Sequence, residues 1–197
     1  TRKKQLSFFS VKCIVCGTCI KACPVAAISS PGQINRTICT NCGRCADVCP
    51  ASALAEQGYS VTEDELFIKV TEEKDFYDDG GGVTFSGGEC LLQAEFCAKM
   101  LKRLKKAGIN TAVDTCGMVE QKAFEAVLPF TDTFLYDLKA IDPEVHKRCT
   151  GADNALILNN LTYLNNVGAN LEVVIPLVKG YNLDEWKNML VFLKSLD

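Results

Sequence analysis

The apolar positions after residue 60 predict a regular alternation of strands and helices. Four short apolar segments suit buried strands, at residues 83–85, 110–114, 133–137 and 171–175. Each is followed by a segment whose apolar residues recur three or four positions apart, the periodicity of one helix face. Repeated βα units of this length indicate a parallel sheet, either doubly wound or wrapped into a barrel. Four units cannot close a barrel, so we expect part of a larger α/β fold.

The predicted helices have identifiable ends and buried faces. The sequence T-E-D-E at Thr62 is a capping box, and its helix is expected to run to about residue 77. Another helix is expected over residues 121–128, and Asn182-x-x-Glu185 is expected to cap the last one. The residues expected to face inward are Leu92, Phe96, Met100 and Leu104 after the first strand, Ile157, Leu161 and Leu164 before the fourth, and Trp186, Met189, Leu190 and Leu193 in the last helix.

Eight of the twelve cysteines form two copies of one motif, C-x2-C-x2-C-x3-C-P, between Cys13 and Pro50. This is the spacing of two-cluster ferredoxins, in which the fourth cysteine of each run binds the other cluster. The predicted ligands are Cys13, Cys16, Cys19 and Cys49 for one [4Fe–4S] cluster, and Cys39, Cys42, Cys45 and Cys23 for the second. Structural zinc and a disulfide framework are the alternatives, but zinc sites usually take separated cysteine pairs or mixtures with histidine.

Composition narrows the classes of function. The apolar fraction of 48% and the charged fraction of 23% are typical of a globular protein. A net charge of −3 gives no basic surface that would suggest a nucleic acid partner, and no apolar run is long enough to span a membrane. Because the first residue is Thr1 and not Met, the start of the chain is uninformative about a signal peptide. Paired low-potential clusters instead indicate a reducing, anaerobic cytoplasm.

Ionisable residues follow three of the four predicted strands. The first strand runs into residues 86–89, which read S-G-G-E; the second ends at Asp114; the third ends in Asp137-Leu138-Lys139. In parallel βα folds, ligands bind at the carboxyl ends of the strands, so we expect these residues to face one site. Any one of these ionisable residues could simply cap a helix or lie in a solvated loop. Such local roles explain less well why three of them occur at matching strand ends.

The turn at residues 87–89 has two interpretations. A glycine-rich turn between a strand and a helix often binds phosphate. The carboxylate of Glu89 would repel an anion, whereas glycine carbonyls together with a carboxylate suit an α-ammonium group. Asp114 and Asp137 add negative charge, and Lys139 suits a carboxylate or a ribose hydroxyl. The pocket is therefore predicted to take a zwitterion with extra positive charge, such as a sulfonium amino acid.

Four segments, VTFSGGE, AVDTCG, LYDLKAIDPEVHKRCTG and IPLVKGYN, resemble the glycyl-radical enzyme activating enzymes. This pyruvate formate-lyase activating enzyme-like family is a branch of the radical S-adenosylmethionine (SAM) superfamily, and the chain is similar to members with a two-[4Fe–4S] ferredoxin insert. The resemblance implies part of a (β/α) TIM-like barrel with a small ferredoxin-like domain inserted near its N-terminus. The implied division is a remnant of an upstream barrel segment at 1–12, the ferredoxin-like domain at 13–57 and a SAM-binding partial barrel at 58–197.

The resemblance also implies a reaction and its site. Gly87, Gly88 and Glu89 would hold the SAM amino group. The residues that would line the same site are Asp114, Asp137, Leu138 and Lys139, and a monovalent cation is a further candidate ligand there. Reductive cleavage of SAM would give methionine and a 5′-deoxyadenosyl radical, which takes a hydrogen atom from a glycine of a partner glycyl-radical enzyme. Reduced flavodoxin or ferredoxin would supply the electrons.

The sequence departs from the family pattern at several positions. The family's catalytic third [4Fe–4S] cluster is bound by C-x3-C-x2-C, and this spacing does not occur here. The resemblance places those cluster ligands upstream of Thr1, implies that the protein also continues beyond the last residue, and implies that this fragment alone is inactive. Cys90 and Lys179 stand where prolines are usual, and Val174 stands where arginine is usual. The single histidine, His146, is predicted to be structural because the sequence offers it no orienting partner.

Two other functions remain open from the sequence. One is a ferredoxin-type electron-transfer module fused to an α/β domain of other purpose; such a module needs no ammonium pocket, so the acidic strand ends count against it. The other is a radical SAM enzyme that acts on a small molecule, which only the family resemblance disfavours. The sequence does not identify the partner enzyme or its substrate.

Overall fold

The computed structural model describes residues 4–77 and 80–196. The chain divides into two compact units, and the division falls between Ser60 and Val61. The smaller unit holds both cysteine motifs, and the larger unit holds the predicted βα units. Within the described residues, none of the helices has the length and apolar character needed to cross a membrane.

The smaller unit is built from two antiparallel strand pairs and two short helices. Its strands are β1 (Gln5–Phe8) paired with β4 (Leu54–Gln57), and β2 (Ile28–Ser30) paired with β3 (Gln33–Ile34). The helices α1 (Thr18–Ala22) and α2 (Arg44–Asp47) each carry the third cysteine of one motif. The buried core residues are Leu6, Cys19, Ile28, Cys45 and Leu54. Such a small core needs additional support, which bound metal clusters can give.

The position of β1 differs from the division that the resemblance implies. Residues 1–12 are expected to be a remnant of a barrel segment, whereas β1 pairs with β4 inside the smaller unit. The physical reason is the period-two pattern of the strand, because Leu6 and Phe8 lie on the same face and pack into the core of that unit. Thr1, upstream of which the catalytic cluster ligands are expected, lies outside the described residues, so the structure does not test that expectation.

The larger unit contains a four-stranded parallel sheet in the order β5-β6-β7-β8. The strands are β5 (Gly82–Phe85), β6 (Asn110–Thr115), β7 (Thr133–Asp137) and β8 (Leu171–Val174). Strands that are consecutive in sequence are adjacent in space, as in the wall of a (β/α) barrel. The predicted parallel α/β fold is confirmed, and each strand begins and ends within one residue of its predicted bounds.

Six helices lie in the described part of the larger unit: α3 (Glu63–Thr71), α4 (Ala94–Lys106), α5 (Gln121–Val127), α6 (Pro143–Thr150), α7 (Ala155–Asn166) and α8 (Trp186–Lys194). The capping box is confirmed, because Thr62 Oγ1 accepts the Glu65 N–H at 3.2 Å and the Thr62 N–H donates to Glu65 Oε2 at 2.8 Å. The helix that begins there ends at Thr71, earlier than expected. The Thr71 hydroxyl donates to the carbonyl of Phe67 at 2.8 Å, a local bond that competes with helix continuation.

Helix α6, which contains His146, is not among the helices predicted from the sequence. Asp142 caps this helix through Oδ1, which accepts the N–H of Glu144 at 2.9 Å, and Pro143 occupies its first position. Gly151 ends the helix with a φ of 82°, in the left-handed region. These start and stop signals are present in the sequence, but the helix is too short to show a clear apolar period.

The inward face predicted for α4 is only partly correct. Met100 and Leu104 are fully buried, whereas Leu92 is 51% exposed and its neighbour Leu91 is buried instead. Residues 90–93 form a 3-10 turn ahead of α4, so the side chains there follow three-residue rather than 3.6-residue periodicity. In α7, the three residues predicted to face inward are all buried.

The prediction for α8 is also corrected in part. Met189 is fully buried, but Trp186 and Leu190 are 42% and 43% exposed. These two residues lie one turn apart on a helix face that the described residues leave open. A 3-10 turn precedes the helix at Leu183–Glu185, so Asn182 does not cap α8. Its side chain has a different role at the strand ends.

Candidate functional sites

Two cavities in the smaller unit are lined by cysteines. The first has a volume of about 330 Å³ including its opening, and its cysteines are Cys13, Cys16, Cys19 and Cys49. The second has a volume of about 320 Å³, and its cysteines are Cys23, Cys39, Cys42 and Cys45. Each cavity thus combines three cysteines of one motif with the fourth cysteine of the other. This is the same crossed grouping that the sequence predicts for two [4Fe–4S] clusters.

Both motifs follow the same backbone path around their cavities. Residues at equivalent positions of the two motifs have positive φ angles: Val15 and Asn41, Gly17 and Gly43, and Ala26 and Ser52. Four of these residues are not glycine; asparagine tolerates a left-handed conformation, but it is unfavourable for the other three, most of all for a β-branched valine. Strained backbone persists where the surroundings fix it, and it concentrates at binding sites. Its repetition in both motifs indicates one structural requirement, the wrapping of the chain around a ligand.

Backbone amides point at the fourth thiol of each motif. The Ala27 N–H donates to Cys23 Sγ at 3.1 Å, and the Ala53 N–H donates to Cys49 Sγ at 3.2 Å. Backbone hydrogen bonds lower the pKa of Cys23 and of Cys49 from the usual value of a thiol. Such bonds favour the thiolate, which is the form that binds metal, so both thiols are prepared for ligation.

The thiols of the two cysteine motifs are unpaired and are grouped around two cavities. All twelve cysteines carry free thiols in this structure. Across residues 4–77 and 80–196, no group of three or more Cys, His, Asp or Glu side chains is placed to hold one metal ion. A cubane does not require such convergence, because each of its four thiolates binds a different iron atom. Two sets of four thiols without a histidine, one around each cavity, fit two [4Fe–4S] clusters.

In the larger unit, the sheet brings the predicted acidic residues to one edge. Ser86 Oγ donates to Asp114 Oδ2 at 2.7 Å, which joins the carboxyl ends of β5 and β6. At the end of β7, the ammonium group of Lys139 forms an ion pair with Asp137 Oδ2. Asp137 in turn lies beside Val174 of β8. The carboxyl ends of four strands therefore contribute to a single edge.

One oxygen of Asp137 has no partner. Its Oδ1 is buried and makes no hydrogen bond within the described part of the protein, while Oδ2 is paired with Lys139. A buried carboxylate oxygen without a donor is unfavourable, and such atoms usually signal a missing ligand or water. Leu138 differs from the expectation that it lines the site, because its side chain is fully buried among core residues.

Glu89 is occupied by hydrogen bonds from the chain itself. Its Oε2 accepts from Thr115 Oγ1 at 2.9 Å, from the Cys116 N–H at 3.0 Å and from Cys116 Sγ at 3.2 Å. Its Oε1 accepts the Leu91 N–H at 3.1 Å. A carboxylate offers about two acceptor positions on each oxygen, so Oε2 is fully used, whereas Oε1 accepts a single bond and has a second position open. Burial raises the pKa of the Cys116 thiol, which keeps that thiol protonated as a donor. The structure therefore gives Glu89 a positioning role within the chain, and the ligand contact expected from the sequence stays a prediction.

The glycines before Glu89 leave open space at the strand ends. Gly87 has a φ of 123°, which side chains rarely adopt. Gly88 has no such restriction, yet a Cβ built on either residue meets no atom within 4 Å. Both residues are exposed. The backbone of this turn is thus open to direct approach by a ligand.

Three buried asparagines brace the loops at the strand ends, and sequence reasoning missed them. Asn160 Nδ2 donates to the carbonyls of Gly117 and Val119 at 2.9 and 2.7 Å. Asn182 Nδ2 donates to the carbonyls of Lys139 and Pro176. Asn154 acts in the same way on the loop after β7. The sequence feature that could have indicated such a residue is an asparagine next to the apolar face of a helix, as with Asn160 beside Leu161.

The residues that depart from the family pattern have ordinary surroundings. Cys90 Sγ lies 3.5 Å from the carbonyls of Phe85 and Asp114, to which it donates, so it braces the ends of β5 and β6. Lys179 and Val174 are exposed. His146 is buried, and its Nδ1 donates to the Ala152 carbonyl at 2.8 Å. This contact fits the structural role predicted for His146, because it orders the end of α6.

Comparison with known protein families assigns both units. A radical SAM superfamily profile matches residues 36–193, and a 4Fe-4S dicluster domain profile matches residues 12–53. The fold, the open glycine turn at the strand ends and the profile match define the class: the chain belongs to the radical SAM superfamily. Within it, the chain belongs to the glycyl-radical enzyme activating enzymes that carry a 4Fe-4S dicluster domain.

Several relatives support this placement. The chain is 42% identical to the trans-4-hydroxy-L-proline dehydratase activating enzyme of Clostridioides difficile, covering all of this chain and 68% of that protein. It is 40% identical to the choline trimethylamine-lyase activating enzyme of Oleidesulfovibrio alaskensis, covering 93% and 62%. A solved domain of a pyruvate-formate lyase-activating enzyme from Bacteroides vulgatus is 37% identical, with a TM-score of 0.55, covering 59% of this chain and 73% of that one. The chain spans about two thirds of the length of these curated relatives.

Proposed function

We propose that this chain provides the SAM-binding strand ends and the two auxiliary clusters of an enzyme that installs a glycyl radical on a partner protein. The observation that carries the proposal is the pairing of an open glycine turn with an unsatisfied buried carboxylate oxygen, that of Asp137, at one sheet edge. SAM, when bound beside a reduced [4Fe–4S] cluster, supplies the 5′-deoxyadenosyl radical that removes a hydrogen atom from a glycine.

The residues of the site divide the binding of SAM among them. The backbone of Gly87 and Gly88 faces open space and offers carbonyl acceptors to the α-ammonium group of SAM. Asp137 Oδ1 accepts a further hydrogen bond from the same ligand, and Lys139 holds the other oxygen of that carboxylate in place. Glu89 fixes the turn through Thr115 and Cys116, and in this proposal it acts on SAM through the position of that turn. A site with net negative charge at a sheet edge suits a sulfonium amino acid better than a phosphate.

The two clusters of the smaller unit relay electrons in this proposal. Their ligands are the two sets of four cysteines that line the cavities. The sequence contains no C-x3-C-x2-C motif, so no residue of this chain is assigned to the SAM-binding cluster. A reduced flavodoxin or ferredoxin is the proposed electron donor. The hydrogen atom is taken from a glycine of the partner protein, because the glycine Cα is flanked by two peptide groups and no side chain blocks access to it.

Binding of SAM to the chain itself tests the proposed site. Asp137→Asn removes the charge at the unsatisfied oxygen, and we expect SAM affinity to fall roughly tenfold, about 1.4 kcal/mol, in titration calorimetry. Asp184→Asn changes an exposed carboxylate of the 3-10 turn before α8 and should leave affinity unchanged. A phosphate site predicts the opposite, because loss of a carboxylate would favour ATP. Tighter ATP binding with unchanged SAM binding would refute the proposal.

Radical chemistry is tested in a form of the protein that carries a C-x3-C-x2-C segment. Anaerobic incubation with SAM, a reductant and a glycyl-radical enzyme should yield 5′-deoxyadenosine, measured by chromatography, and a protein glycyl radical, measured by EPR. Formation of 5′-deoxyadenosine without a protein radical, but with loss of hydrogen from a small molecule, would support the alternative of a small-molecule radical SAM enzyme.

A further inference from the structure

The two cysteine motifs differ sharply at the residues between their first two cysteines. The first motif carries Ile14 and Val15 there, and the second carries Thr40 and Asn41 at the equivalent positions. Ile14 is 65% exposed and Val15 is 73% exposed. The two motifs share one backbone path, and the second motif forms it with polar residues at these positions. Apolar residues are therefore not required there for the structure of the motif. The apolar pair of the first motif therefore calls for a separate explanation.

Val15 is unfavourable where it stands, in two respects. Its φ of 56° matches the 53° of Asn41, but asparagine tolerates the left-handed region and a β-branched valine does not. Its side chain is also exposed to water rather than buried. Apolar residues close by in the sequence are exposed as well, since Val11 is 95% exposed and Phe9 is 38% exposed. An exposed apolar patch of this kind signals an interaction site. We call Phe9, Val11, Ile14 and Val15 the first-motif patch.

The smaller unit, which contains this patch, has a positive formal charge. Residues 1–60 contain seven Lys or Arg and two Asp or Glu, a formal charge of +5, whereas residues 61–197 contain 14 and 22, a charge of −8. Each bound cluster with its four thiolates adds about two negative charges in its oxidised form, which still leaves the smaller unit close to +1. Lys12 lies at the patch itself, with its Nζ 5.1 Å from the centre of the Phe9 ring. An apolar centre beside a basic side chain favours an acidic protein partner.

We propose that the first-motif patch is the docking surface for a small acidic protein that carries one electron at low potential. The electron enters at the cluster of Cys13, Cys16, Cys19 and Cys49, because Cys16 lies next to the patch and is the exposed ligand of that set. The carrier loses one electron and the cluster gains it, with no bond made or broken. The second motif, with Thr40 and Asn41 in the same places, is not an entry point. This inference rests on the proposed relay of electrons through these clusters.

The test replaces the first-motif residues with those of the second. The double variant Ile14→Thr/Val15→Asn is reconstituted anaerobically, its iron content is checked, and cluster reduction is followed by stopped-flow absorbance. The electron donors are photoreduced flavodoxin, which must dock, and dithionite, which need not. We expect the second-order rate with flavodoxin to fall at least tenfold and the rate with dithionite to stay unchanged. Val191→Asn, the same change at an exposed position of α8 in the larger unit, is the control and should change neither rate.

A second variant keeps the test valid if the double variant loses its clusters. Lys12→Glu should slow reduction by flavodoxin several-fold, and added salt should reduce the wild-type rate and narrow this difference. If flavodoxin reduces the clusters of both variants at the wild-type rate, the docking proposal is wrong. It is also wrong if the variants change the self-association of the chain, measured by sedimentation, but not the rate of reduction by flavodoxin. Either result would leave the SAM-binding proposal untouched, because SAM titration of the strand-end site involves neither the patch nor an electron donor.

Discussion

Glu89 Oε2 accepts the backbone N–H of Cys116 at 3.0 Å, and this bond joins the turn after β5 to the end of β6. The two residues are 27 positions apart in sequence. The same carboxylate also holds the first turn ahead of α4 through the Leu91 N–H. One side chain thus sets the relative position of two strand ends, and the shape of the glycine turn depends on it.

Glu89→Gln should therefore destabilise the larger unit as well as weaken SAM binding. An amide has one acceptor oxygen, so either the Leu91 or the Cys116 N–H loses its partner, at a cost of about 1–3 kcal/mol in the free energy of unfolding. Denaturant titration measures this loss, and iron analysis should show both clusters of the smaller unit retained. Glu125→Gln, at an exposed residue of α5, is the matched control. Weakened SAM binding with wild-type stability would instead mean that Glu89 contacts SAM directly.

A side chain at Gly117 should destabilise the larger unit for two reasons, a left-handed backbone and an overlap with Tyr136. Gly108 shares only the first of these, so it serves as the comparison. Gly117 and Gly108 have φ angles of 76° and 72°, but a Cβ on Gly117 would overlap the Tyr136 hydroxyl, whereas one on Gly108 meets nothing within 4 Å. We expect Gly108→Ala to cost about 1–2 kcal/mol for the left-handed backbone alone. Gly117→Ala should cost about 1–3 kcal/mol more, because Tyr136 must move. Equal losses of unfolding free energy in urea would show that Tyr136 does not constrain this loop.

Crossed ligation predicts which cluster a single substitution removes. Cys23 lies in the first motif but lines the cavity of the second set of cysteines. Cys23→Ser should therefore damage the cluster held by Cys39, Cys42 and Cys45, and resolved EPR signals of the reduced protein will identify it. Cys149→Ser, at a thiol outside both motifs, should leave both signals intact. Loss of the cluster held by Cys13, Cys16 and Cys19 would show that the ligation is not crossed.

The smaller unit should depend on its clusters for folding. Anaerobic reconstitution should give about eight iron atoms per chain, as two cubanes require. Removal of iron by a chelator should then abolish hydrogen-exchange protection in residues 4–60, because the five-residue core is too small without metal. Protection in residues 61–196 should remain. Tightly bound zinc after purification, or a smaller unit that stays protected without iron, would contradict this prediction.

The sequence predicts features that depend on short-range patterns. The strands of the larger unit, the capping box at Thr62 and the cysteine grouping all follow from spacing within a few residues or from an internal repeat. The role of Glu89 and the brace formed by Asn160 were not predictable in this way, because their partners across the strand ends are 26 to 43 residues away and include backbone groups without a sequence signature. The exposed face of Trp186 could not be inferred either, since helical periodicity shows which residues share a face but not whether a neighbour covers it.

Gly88→Ala tests most directly whether the backbone of residues 87–88 binds SAM at the strand ends. An added methyl group at Gly88 meets no protein atom within 4 Å and requires no left-handed backbone, so the free energy of unfolding should stay the same or rise slightly. The same methyl group would occupy the space of the bound ligand. Titration calorimetry of the chain should therefore show SAM affinity reduced roughly tenfold or more, about 1.4 kcal/mol, with stability retained. Wild-type SAM affinity in a stably folded Gly88→Ala variant would contradict the account.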